Sequence, residues 1–115
     1  MVRVATHCKS VDDPILDFRL ANARLVEAPA SHTPTKFAYP GAIPIISADG
    51  SRNGIVWASE NWETAVLHAY DASDLARELY NSSQAPSGRD HFGAANEFTT
   101  PMVAHGKVYV GPLTG

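Results

Sequence analysis

Cysteine is almost missing from this sequence: Cys8 stands alone, which excludes an intrachain disulfide and any metal site built on several thiolates. Long apolar runs are missing too. No stretch of 18 apolar residues occurs, so no segment reads as a membrane-spanning helix. The opening run Met1-Val2-Arg3-Val4-Ala5-Thr6-His7-Cys8 lacks the apolar core of a secretory signal and reads as a strand. A soluble chain that begins inside an architecture is the expectation. Basic residues are sparse: 9 Lys and Arg, scattered, against 12 Asp and Glu, for a net charge of −3. That balance argues against a nucleic-acid partner and against an anionic membrane surface.

Signatures of chemistry are also lacking. No HExxH and no Gly-x-Ser-x-Gly elbow occurs, and no two of His7, His32, His68, His91 and His105 stand two or four residues apart. Neither a metal site nor a cofactor is therefore expected from spacing. Cys8 has no activating neighbour and reads as a small packing residue.

Punctuation is what the chain has in abundance. Eight prolines and eight glycines divide 115 residues into short segments, the pattern of an all-β domain rather than of long helices. Candidate strands are residues 2–8, 15–20, 24–27, 43–47, 54–58, 65–70, 78–81, 101–104 and 107–111. Asp49-Gly50 and Asn53-Gly54 bracket one connection, and His105-Gly106 suits a two-residue hairpin loop. Trp57, alternating with Val56 and Ala58 on a central strand, is predicted to be buried.

Residues 63–80 are rich in Ala, Leu and Glu, so propensity allows a helix there as readily as a strand. An internal repeat decides between them. Residues 43–58 read Pro, apolar strand, Gly turn, apolar strand, and residues 100–111 repeat that order in shorter form. A fainter match pairs Ile15-Leu16-Asp17-Phe18-Arg19-Leu20 with Val66-Leu67-His68-Ala69-Tyr70-Asp71. The period suits four strands plus a long loop.

Residues Asn53-Gly54-Ile55-Val56-Trp57-Ala58, Val66-Leu67-His68-Ala69-Tyr70-Asp71-Ala72 and Glu78-Leu79-Tyr80-Asn81-Ser82, with the tail from Phe98 to Gly111, resemble bacterial PQQ-binding-like (quinoprotein-like) β-propeller repeats. The resemblance implies one partial propeller domain of about two and a quarter blades. Residues 1–30 would end one blade, 40–82 would form a complete four-stranded antiparallel blade, and 97–115 would start a third. It also implies that 65–70 is a strand and 72–76 a turn. The family's docking pattern, Ala-x-Asp-x-x-Thr-Gly-x-x-x-Trp, is met by Ala69 and Asp71. Asp74 and Leu75 replace Thr-Gly, and Tyr80 supplies the aromatic one position late. Such proteins are often exported. PQQ itself is not expected, because adjacent cysteines are absent and two blades cannot assemble its ligands.

Function is therefore read as a non-catalytic scaffold or binding module, a fragment that assembles with itself into a ring by strand pairing. The alternative is a piece of a quinoprotein-like dehydrogenase or a small hydrolase using loop His, Asp and Glu. Its candidate catalytic residues are Asp90 and His91, in a Gly-rich loop, with Glu60 and Glu63, two carboxylates flanking Trp62. Trp62 is the candidate contact for a small-molecule or carbohydrate ligand.

Overall fold

The structure is a computed structural model that describes residues 12–39, 41–61, 63–95 and 100–113. Its organising element is a four-stranded antiparallel meander: β5 (Ile45–Asp49), β6 (Arg52–Ser59), β7 (Leu67–Asp71) and β8 (Asp74–Asn81), paired in chain order. No α-helix occurs among the described residues; one 3-10 turn spans Pro86–Gly88. The Ala-rich segment is strand, as the repeat requires.

The physical reason lies in β7. Leu67, His68, Ala69 and Tyr70 are all buried, so this strand is covered on both faces. A strand covered twice reads as an unbroken apolar run instead of alternating, which is how it comes to mimic a helix in sequence. The turn that follows is shorter than expected, only Ala72 and Ser73. Asp71 holds it by accepting the Ser73 amide N–H at 2.8 Å and the Ser73 hydroxyl at 2.6 Å, an Asx-type arrangement. Beneath it lies Gly54, where a Cβ would come within 2.9 Å of the Ala72 Cβ. Only a glycine lets β6 pass this close to the turn.

Two further strand pairs flank the meander. The first joins β1 (Asp13–Asp17) to β4 (Ser31–Phe37), antiparallel, with Asp13 opposite Phe37 and Asp17 opposite Ser31. Between them in sequence, β2 (Leu20–Ala21) and β3 (Arg24–Leu25) make a small exposed hairpin. The expected strands 15–20 and 24–27 are thus corrected. The first splits into β1 and β2, and the second shrinks to two residues. β4 was not anticipated at all because Pro34 interrupts it, yet Thr33, Thr35 and Phe37 alternate inward against exposed His32, Pro34 and Lys36. Proline is tolerated where its missing N–H faces away from the ladder. The expected strand 2–8, and Cys8 with it, lies outside the described residues.

The second pair is a hairpin of β9 (Met102–Ala104) and β10 (Lys107–Tyr109). His105 and Gly106, at φ of 51° and 70°, form its two-residue loop, the primed turn that matches strand twist.

The core sits between the meander and the β1–β4 pair. Ile15, Phe37, Ala42, Val56, Ala58, Tyr70 and Leu75 form one buried cluster, and β4 lies against β8. Leu75 donates its amide N–H to Ser31 Oγ at 3.0 Å, and Ile15 donates its own to Thr33 Oγ1 at 3.1 Å. The opposite face is less well covered. There a cleft of about 370 Å³ separates Ser47, Ile55 and Trp57 from Val103 and Val108 of the hairpin. Trp57 is consequently half-buried, not buried as predicted, with its indole N–H donated to Ser47 Oγ at 2.8 Å. Alternation was read correctly but assigned to the wrong face: Val56 and Ala58 point into the core.

Candidate functional site

His68, on β7, is a buried ionisable residue, 5% exposed. Pairing with Ala58 of β6 on one side and Asn81 of β8 on the other fixes its backbone at the centre of the sheet. Its ring lies parallel to that of Tyr70, two residues on, with centroids 5.7 Å apart and 8° between the planes. Phe37 of β4 meets it edge-on at 5.8 Å. The imidazole is therefore oriented by aromatic rings from two layers.

Both ring nitrogens face carboxylates. Nε2 lies 2.6 Å from Glu60 Oε1, and Nδ1 lies 2.5 Å from Glu78 Oε1. Glu60 directly follows β6 and Glu78 lies in the middle of β8, so with His68 they link the ends of β6 and β7 to β8. Asn81 Nδ2 also donates to Glu78 Oε1, at 3.3 Å. An ionised carboxylate can only accept, so satisfying both contacts requires the imidazolium, which donates twice. Burial pulls the His68 pKa down, but hydrogen bonds and charge from Glu60 and Glu78 outweigh it and leave the pKa above its ordinary value. Burial also drives the pKa of Tyr70 well up, so this phenol remains neutral.

The arrangement has clear chemical limits. A general base or metal ligand needs a free ring lone pair, and His68 keeps none while both carboxylates hold it. No cluster of three or more His, Cys, Asp or Glu suited to a metal occurs among the described residues. Two buried polar groups near this chemistry lack partners. Among the described residues, neither the Tyr70 hydroxyl nor either amide atom of Asn61, next to Glu60, finds a hydrogen-bond partner.

The sequence-derived candidates fall in three places. Glu60 is in the His68 triad, but the carboxylate it faces across the imidazole is Glu78. Glu63 lies exposed in the bend beyond. Trp62, between them, lies outside the described residues. Asp90 belongs to a separate cluster, where it accepts from the Arg89 guanidinium, Nε at 2.9 Å, and from the Tyr80 hydroxyl. Arg89 first and Tyr80 second hold its carboxyl below the usual range, and Asp90 in turn raises the pKa of Tyr80. His91 is exposed, its backbone N–H donated to Gly88 O at 3.0 Å. Sequence reasoning treated His68 as a plain strand residue and passed over Glu78. Their spacing of ten residues becomes proximity only through the β7–β8 hairpin, and a hairpin-pairing argument would have found it.

Away from the triad, the core-side face of the meander opens at β5 into a groove of about 910 Å³. Ile43, Ile46 and Leu79 line it and are exposed at 39%, 57% and 43%, with Asp71 and Arg77 also on its wall. No helix is long and apolar enough to cross a membrane among the described residues. No family model, curated protein or solved structure matches the chain.

Proposed function

We propose that the chain is a non-catalytic β-propeller-type scaffold or binding module, about two and a quarter blades long, that completes itself by association with further copies. The observation that carries this reading is the open apolar groove on the meander. A sheet face exposing Ile43, Ile46 and Leu79 is of the kind that a neighbouring blade covers. Supporting it is the layered order of the strand pairs: one on each side of a four-stranded meander. The Ala69 and Asp71 half of the docking pattern fits the same picture, with Asp71 fastening the β7–β8 turn. The saturated imidazole of His68 favours a structural role over catalysis.

In the proposed assembly, the β9–β10 hairpin of one copy pairs with N-terminal strands of the next, head to tail. Such a contact closes into a ring when its rotation allows. Met102 and Tyr109, exposed at 57% and 48% on that hairpin, would be covered. Light scattering of the full chain at micromolar concentration tests the assembly. The expected mass is three or four times the chain mass of 12.3 kDa. A well-folded species at the chain mass would overturn it.

A further inference from the structure

We propose that His68 is a proton-operated latch: its imidazolium ties the end of β6, through Glu60, to β8, through Glu78, and loss of the ring proton to solvent releases Glu60. The latch is a property of one chain and does not depend on self-association.

The geometry defines which contact breaks. A neutral imidazole has one N–H and one lone pair, so it can serve one carboxylate and must repel the other. Glu78 is the better held of the two. It lies within β8, accepts a second hydrogen bond from Asn81 Nδ2, and its side chain is 24% exposed. Glu60 has no other side-chain partner among the described residues, and its side chain is 33% exposed. Water therefore reaches Glu60 more readily, and the remaining ring proton stays on Nδ1, facing Glu78. With Glu60 free, the Glu60 N–H to Val66 O bond of 2.8 Å, which closes the connection from β6 to β7, loses its side-chain anchor.

The surroundings of His68 leave the two carboxylates in control. Tyr70, stacked on the ring from the same strand, stays neutral. From β4 comes the apolar edge of Phe37, while Lys36 and His32 of that strand are exposed. On β1, Asp17 is occupied by the Ser31 hydroxyl at 3.4 Å. Glu60 and Glu78 alone raise the proton affinity of the ring.

Nitrogen NMR of the imidazole, followed in the full chain from about pH 5 to about pH 9, spans the titration range of a histidine held above its ordinary value. The expected result is a ring protonated on both nitrogens beyond pH 6.5, the ordinary histidine value. As it titrates, hydrogen exchange at the Glu60 amide, corrected for the intrinsic effect of pH, should accelerate about tenfold. Glu60→Gln should lower the midpoint by roughly one pH unit and uncouple amide exchange from the ring. A ring titrating at or below its ordinary value overturns the latch, as does a Glu60 amide indifferent to ring deprotonation. If Glu60→Gln does not fold, the wild-type titration decides alone.

Discussion

In the meander from Ile45 to Asn81, every strand pairs with its neighbour in the chain; the β5–β6 and β7–β8 turns use two residues each, and the β6–β7 connection spans residues 60–66. In the region from Asp13 to Phe37, β1 passes over a whole hairpin before pairing with β4. The two regions share one core but are specified differently. Meander contacts are local, so turn chemistry and strand pattern select them together. The β1–β4 pair forms across a longer loop, whose closure costs entropy before any contact is gained. It holds because Ile15, Phe37 and Thr33 are buried at that junction. The ribbon thus depends on the meander for its covered face, and the meander depends on the ribbon to bury Val56, Ala58 and Tyr70.

The sharpest way to break the comparison is to cut the shared core. Phe37→Ala removes a ring that is 1% exposed and should cost about 3–5 kcal/mol, unfolding both regions in a single denaturant transition. Trp57→Ala, on the less covered face, should cost about 2 kcal/mol by lost apolar area. An equal or larger loss at Trp57 would show that the hairpin face matters as much as the ribbon face. Two separate transitions for Phe37→Ala would show that the meander stands by itself.

A finer probe addresses the polar seam between the regions. Ser31→Ala removes the hydroxyl that accepts the Leu75 amide N–H and donates to Asp17. Leu75 is buried at 3% exposure, so its stranded N–H should cost about 1–3 kcal/mol. Thermal unfolding measures this, and a Tm equal to wild type would mean that water replaces the serine. The smallest effect expected has the opposite sign. His105→Asn, at a positive-φ position before Gly106, should stabilise the β9–β10 hairpin by roughly 0.5 kcal/mol, since Asn-Gly is the favoured primed turn. A lower Tm would instead reveal a contact made by the His105 side chain.

Legibility followed the same division. The paired runs around Gly50 and Gly106, the strand at β7 and the all-β class were all readable from punctuation and from the repeat. β4 was hidden because Pro34 looks like an end of strand unless the edge position is known. Of the candidate site, Glu60 was readable as a carboxylate in a loop, but its partners were not. His68 and Glu78 are unremarkable residues of two strands until the β7–β8 hairpin brings them together, and nothing in their local patterns separates a histidine held between two carboxylates from an ordinary strand histidine.

By itself, the sequence determined what its composition and local chemistry dictate: antiparallel strands, tight turns at Gly, Asn and Asp, and a framework without multi-cysteine chemistry. Tertiary structure alone decided which face of each strand is covered, and with it the half-buried Trp57 and the buried Tyr70. It also decided which carboxylates His68 faces. Period-two alternation tells that two faces differ but not which is inside, because the answer depends on which distant segment lands on the sheet. A histidine's proton affinity is set by groups within a few ångströms, and here those are two carboxylates, one from the end of β6 and one from β8, that only the fold brings to β7.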